Sequence, residues 1–435
     1  MLLSLAASLA PLLAIPQEEA DALAEARRLL AEAVDLPTAK ERRKAARELA
    51  DRDDVELEQW LQLAREFGNF EALEAGERSD RVALPIGDAV ETTELAWYVP
   101  KDYDPSRAHP VILAIHGAGG HGRNEVYAFL EIAEAMDAFV LAPCESGPNV
   151  GYAFSERERQ VSLAALRWLR RRANIDENRV HLTGVSRGGH ACFDLARHPS
   201  PWASVVPRIG GPALSIPEGR NNIRLAVNFA HLPVVILQGM GDQDKLLLNQ
   251  ELALDRLQRA KGNARRVESP EHGHSYDHQG FAWREFFEEA QRDPQTRRLT
   301  LCAAREGEGQ LLWLEIDRFG KNVKEDFRPR VDPNQWNGWD HADKARFLQS
   351  EADKRTARID AEYLGNGQFR LDTHEVARLR LLLPAEMLGE HGAVEASWKG
   401  KQRKKKLKHS ARVLLEHFVE HFDRRFLPVA AWELR

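Results

Sequence analysis

The chain has 435 residues, of which 43% are hydrophobic and 29% charged, a balance that excludes a disordered or membrane-embedded protein. Its length exceeds what one hydrophobic core usually organises and predicts two or three units, one of them large enough for an enzyme. A formal net charge of −6 spread over that length supplies no global field for nucleic acid or an anionic membrane surface.

Residues 1–15 form an apolar stretch that ends at Pro16 and gives way to an acidic sequence. The stretch has the length of a signal-peptide core and is too short to span a bilayer. No Lys or Arg precedes it and no clean A-x-A site follows. The expectation is a possible signal peptide at 1–16 on a secreted or periplasmic protein, the alternative being a buried first helix of a cytoplasmic one.

Residues 17–80 read as a short helical unit. Leu23, Ala26, Leu30 and Ala33, then Leu57, Trp60, Leu61 and Ala64, recur at three- and four-residue spacings that give each helix one apolar face. Thr38 with Glu41 has the spacing of a capping box, and Gly68 stands where a helix would stop.

From about residue 82 to 293 the pattern changes to short β-branched runs, at 94–99, 111–115, 139–142, 180–183, 204–206 and 234–238, separated by amphipathic stretches such as 156–173 and 246–260. Strands joined by crossover helices make a mainly parallel sheet, so the predicted class is α/β. In residues 295–435 the helices fade. Segments at 311–316, 358–363, 368–371 and 393–398 predict a β-rich, sandwich-like domain. Its basic run at 399–408 reads as a solvated hairpin tip or a strand edge protected by lysines, and its Trp336, Trp339 and Trp398 read as core residues, a sugar-binding face being the alternative. Cys144, Cys192 and Cys302 are too few for a disulfide framework and lack paired spacing, so they read as small buried apolar residues.

The chemistry concentrates in three strand-end segments. Gly184-Val185-Ser186-Arg187-Gly188-Gly189 follows the run 180–183 and opens a helix. Small residues two before and two after Ser186 let the backbone turn sharply, which presents the hydroxyl and aims a helix N-terminus at a developing oxyanion. The second is His116-Gly117-Ala118-Gly119-Gly120, a glycine-rich loop whose Ala118 amide would join that of Arg187 as oxyanion donors. His116 itself reads as a structural residue.

A serine hydroxyl needs an imidazole base held in one tautomer by a carboxylate. The run 234–238 leads into Gly239-Met240-Gly241-Asp242-Gln243-Asp244, and Glu271-His272-Gly273-His274 comes after the next strand. His274 is preferred to His272 as base, while His190 and His278 read as packing or surface residues. Counting from the strand end favours Asp242 as the acid, counting from Gly241 favours Asp244, and both remain candidates.

Residues from about 92 to 292 resemble the esterase branch of the α/β-hydrolase superfamily, including polyhydroxybutyrate depolymerase-like and feruloyl-esterase-like enzymes. Tyr98-Val99-Pro100, the HGAGG loop, the segment 174–180, GVSRGG, GMGDQD and HGH carry the resemblance. It implies an α/β-hydrolase fold, ester hydrolysis through an acyl-enzyme without a cofactor, and Ser186, His274 and Asp242 or Asp244 at the triad positions. A small-molecule or polymeric ester is the expected partner. A prolyl-oligopeptidase-like serine peptidase is the alternative within enzymes, and a hydrolase-shaped scaffold binding a carbohydrate or protein is the alternative outside them. His272, His274, Asp277 and His278 cluster enough to suggest zinc, but a catalytic base explains His274 more simply, so no metal is expected.

Overall fold

A computed structural model describes residues 17–87, 89–144, 151–197, 201–212, 222–305, 308–325 and 327–435. The apolar leader at 1–16 lies outside these residues. Helices α1 (Gln17–Asp35), α2 (Ala39–Ala50) and α3 (Leu57–Arg65) open the chain. Next come β1 (Gly76–Ile86), β2 (Ala89–Val99), β3 (His109–Ile115), α4 (Gly122–Met136), β4 (Phe139–Cys144), α5 (Glu156–Arg170), β5 (Ile175–Val185), α6 (Arg187–Ala196) and β6 (Ser204–Arg208). A 3-10 segment at Asn222–Phe229, β7 (Val234–Gly239), α7 (Asp244–Arg259), β8 (Ala264–Ser269) and α8 (Trp283–Glu289) complete this part. The remainder holds β9 (Arg298–Ala303), β10 (Gln310–Leu311), β11 (Leu314–Phe319), α9 (Pro333–Gly338), α10 (His341–Asp353), β12 (Ala357–Gly365), β13 (Gln368–His374), β14 (Val376–Leu383), β15 (Ala393–Trp398), β16 (Lys401–Lys406), α11 (Ala411–His421) and β17 (Ala430–Leu434).

The first eight strands form one sheet in the order β1-β2-β4-β3-β5-β6-β7-β8. β1 and β2 pair as a hairpin, β2 is antiparallel to β4, and the later neighbours are all parallel. Helices cover both faces, so the central strands are unbroken apolar runs; Val111 to Ile115 are all fully buried. Because β3 lies between β4 and β5, the chain leaves it on one side through α4 and returns across it through α5. Loops beyond the carboxyl ends of β3 and β5 therefore part in opposite directions, the usual ligand position in such sheets. The sheet begins at Gly76 rather than 82, because Glu77, Ser79, Asp80 and Arg81 on β1 are exposed and erase the apolar alternation.

The C-terminal strands form two sheets, β10-β11-β14-β17 and β16-β15-β13-β12-β9. Leu301, Ile359, Leu371 and Trp398 of the second share one core with Leu314, Leu379, Leu381 and Trp432 of the first. The stretch 311–316 is not one strand: Leu311 pairs with Leu314 across a turn in which Leu312 takes φ 46°. Both turn residues are buried, which hides the turn from a reading that expects polar residues there. β16 is an edge strand with Lys401, Lys404, Lys405 and Lys406 exposed. Trp398 is buried in the sandwich, whereas Trp336 and Trp339 lie outside that core, half-buried at α9 in a ring cluster with Phe347. Cys144, expected to be buried, is half-buried at the end of β4.

The N-terminal helices have no core of their own. Leu30, Val34, Leu49, Trp60 and Phe67 pack with Leu414, Leu415, Phe418 and Phe422 of the α11 region, and Arg47 reaches Glu416 at 2.7 Å. Just past α11, Asp423 forms a buried pair with Arg292 at 2.6 Å, tying the end of the chain to the large sheet. Among the described residues no helix is long and apolar enough to cross a membrane.

Candidate active site

Ser186 lies at the corner between β5 and α6 with φ 53° and ψ −109°, a backbone region that costs a non-glycine residue roughly 1–3 kcal/mol. The neighbouring glycines are required by contact. A Cβ at Gly184 would stand 2.4 Å from the Gly188 carbonyl oxygen, one at Gly188 2.0 Å from that of Ile115, and one at Gly189 2.6 Å from that of Arg208. The corner is pinned by the Ser186 amide donating to the Arg208 carbonyl at 2.8 Å and the His190 amide donating to the Ser186 carbonyl at 3.0 Å.

The glycine-rich loop after β3 passes beside this corner, since a Cβ at Gly117 would lie 3.6 Å from the Ser186 Cβ. Its turn is closed by the Gly120 amide donating to the Gly117 carbonyl at 3.0 Å, and buried His116 holds the same oxygen through Nδ1 at 2.8 Å. The Ala118 amide has no protein acceptor among the described residues, leaving its donor unused. The Arg187 side chain is buried, donating to Glu158 at 2.8 Å and to the Gly151 carbonyl at 3.1 Å, which anchors the start of α6.

The Ser186 Oγ stands 2.8 Å from His274 Nε2, and His274 Nδ1 stands 2.8 Å from Asp242 Oδ2. A serine proton shared with Nε2 places the ring proton on Nδ1, facing the carboxylate. Asp242 also accepts from the Gln243 amide at 2.7 Å and from Gln238 Nε2 at 3.0 Å. Burial, the largest single influence, pushes the Asp242 carboxyl up, but those two bonds and His274 together hold it below its ordinary value. The Asp242 side chain is 2% exposed and that of His274 51%, so the carboxylate is shielded while the ring is open to solvent.

Asp244 does not reach the ring; it opens α7 with its side chain exposed, where a carboxylate favours the helix N-terminus. The His274 loop is seated on Gly239, where a Cβ would lie 2.2 Å from the Gly273 carbonyl oxygen, and the Gly241 amide donates to the His272 carbonyl at 2.8 Å. His272 thus contributes backbone to the seat. His278 packs against Trp283 with ring centroids 5.1 Å apart. His190 is buried with Nδ1 at 2.6 Å from the Gly211 carbonyl oxygen, and burial lowers its pKa.

The histidine group 272–278 does not gather metal-ligand atoms. The described residues bring together Glu94, His121 and Cys144 instead, with ligand atoms within 4.8 Å of one another. His121 Nδ1 accepts the Arg123 amide at 3.2 Å, which leaves its Nε2 to carry a proton toward Glu94 at 3.4 Å. Ordinary hydrogen bonds therefore satisfy this group. Sequence reading missed Gln238 and Glu158, which brace Asp242 and Arg187. The available signals were a glutamine closing an apolar strand and the Ser155-x-x-Glu158 box, whose glutamate serves both the cap and the arginine.

Parallel strand order, a strained serine between strand and helix, and a following acid and histidine at later strand ends together define an α/β-hydrolase fold. No protein-family model and no curated protein matches the sequence. Among solved structures, the chain is similar to a thermostable esterase at 22% identity and TM-score 0.38, covering 50% of this chain and 63% of that one. It is similar to a poly(3-hydroxybutyrate) depolymerase from Bordetella parapertussis at 19% identity and TM-score 0.38, covering 46% of this chain and 85% of that one. An acylaminoacyl peptidase from Pyrococcus horikoshii is similar at 12% identity and TM-score 0.42, covering 51% of this chain and 43% of that one.

Proposed function

We propose that this protein is a serine hydrolase that cleaves carboxylic esters of small-molecule or polymeric substrates through an acyl-enzyme. The observation that carries the reading is the continuous relay from Ser186 Oγ through His274 to a shielded Asp242, both links at 2.8 Å, beside a glycine loop with an unused amide. His274 Nε2 takes the Ser186 proton as Oγ attacks the ester carbonyl carbon, and Asp242 stabilises the resulting imidazolium. The oxyanion accepts from the Ala118 and Arg187 amides, each such donor being worth about a hundred- to a thousandfold in rate. Collapse expels the alcohol, which takes the proton from His274. Water, deprotonated by the same ring, then releases the acid and restores Ser186.

The test is labelling of the purified protein and its Ser186→Ala variant with a fluorophosphonate probe, followed by turnover of short-chain and aromatic p-nitrophenyl esters and of blocked peptide anilides. The reading expects labelling and ester turnover in the parent protein and neither in the variant. Persistent labelling of Ser186→Ala refutes the nucleophile, and turnover of anilides without esters replaces esterase by peptidase.

A further inference from the structure

A buried arginine joins the two halves of the relay. Arg208 closes β6 and is 2% exposed. Its carbonyl accepts the Ser186 amide at 2.8 Å, so its backbone is part of the nucleophile's corner. Its side chain leaves on the face covered by α4 and donates from Nη1 to the Tyr276 hydroxyl at 2.8 Å, two residues past His274. The other guanidinium nitrogen, Nη2, meets Glu125 on α4, the helix that follows the glycine loop, and the guanidinium carbon lies 5.1 Å over the Phe129 ring. Burial alone would lower the Arg208 pKa, but Glu125 and Tyr276 outweigh it and keep the cation charged. One residue thus contacts the serine corner, the helix behind the glycine loop and the histidine loop. Its strand neighbour on the same face, Val206, is apolar and buried.

We propose that Arg208 is a positioning residue that, through the Tyr276 hydroxyl, sets the reach of His274 to Ser186. This rests on the relay acting as proposed above. The histidine loop is also tied to β7 and β8 through Gly241, Ser269 and Asp277, and past Tyr276 His278 packs on Phe129 of α4 and its carbonyl accepts from Trp283 at 3.0 Å. The Arg208–Tyr276 bond links the loop to β6, whose Arg208 carbonyl holds the Ser186 amide. Loss of the bond lets the ring drift relative to Oγ while the substrate surface stays in place, and small misplacements of reacting groups cost about a hundredfold.

Tyr276→Phe removes one hydroxyl and keeps the ring. In the full-length protein it should slow fluorophosphonate labelling per active site by roughly ten- to a hundredfold, lower kcat for a p-nitrophenyl ester to the same extent, and leave KM within about twofold. Label stoichiometry at completion should stay at the parent value, because each folded site remains competent. Arg208→Lys, which keeps a charge for Glu125 but cannot fork to both partners, should lose a similar factor, and the double variant little more than either single change. An unchanged per-site rate in Tyr276→Phe overturns the proposal. So does a loss confined to label stoichiometry or thermal stability, which marks a purely structural contact. Ser186→Ala run in parallel separates the two levels: label retained there refutes the relay itself, whereas label lost there with Tyr276→Phe at full rate refutes only the positioning role.

Discussion

The strand-end loops of the large sheet and the C-terminal sandwich use the same physics to opposite ends. Around the serine corner, strain and buried charge accumulate: Ser186 and Ile209 take positive φ without being glycine, and Arg187, Arg208, Glu125 and Glu158 are all buried. In the sandwich the positive-φ residues Leu312, Asn366, Glu375, His391 and Lys399 all lie in the connections between successive strands. Charges on its strands stay on the outer faces in cross-strand pairs such as Arg380 with Glu315 and Arg370 with Glu362. A region that obeys the local rules reads as scaffold. One that violates several of them within a few residues holds costly groups in place, as sites of chemistry do.

The comparison breaks first if chemistry does not depend on the strained region. Ser186→Ala should lower kcat/KM for an activated ester by about 10⁴-fold or more with an unchanged melting temperature, read by steady-state kinetics and calorimetry. Asp242→Asn should cost about 10³- to 10⁴-fold because the amide favours the wrong histidine tautomer. Asp244→Asn, measured beside it, should stay within about threefold. In the sandwich the expectation reverses: Trp398→Ala should destabilise by about 3–5 kcal/mol in urea unfolding through the cavity it leaves, yet the folded fraction should label at the parent rate.

Smaller, and sharper on buried polar groups, is an effect of pH. Burial pushes the His181 pKa down to about 3 and that of His231 down to about 4. Below the ordinary value of about 6.5 the unfolded chain binds protons that the folded one refuses, so stability falls as pH drops through that window. Each histidine contributes a slope of about 1.4 kcal/mol per pH unit until its folded pKa is reached. Urea midpoints measured from pH 7 to 4 should trace this decline, and His181→Asn should make it shallower. A flat profile would mean that these rings are not shielded from water.

Much of the large sheet is legible in the sequence because unbroken runs such as 111–115 and 234–238 are short and rich in β-branched residues, as strands covered on both faces are. β1 is not legible, since its exposed charges erase the alternation, and the turn at Leu312 is not, because tertiary burial there outweighs turn chemistry. The site is legible where spacing is local. The glycines around Ser186 are forced by contacts within the same corner and with the ends of β3 and β6, and the motif is local enough to be read from spacing. The fork between Asp242 and Asp244 is not legible, because both follow the same strand and their difference is which one faces a ring that lies 32 residues past Asp242.

The sequence by itself determined the class of the sheet, the corner that presents Ser186 and the loop that offers an amide, since each follows from periodicity or from the steric needs of adjacent residues. Only the tertiary structure decided that the first three helices complete their core with α11, that Asp242 faces His274, and that Arg208 spans from the serine to Tyr276. Those are contacts between segments far apart in the chain, and their partners are chosen by how the packed strands bring their ends together rather than by any local preference.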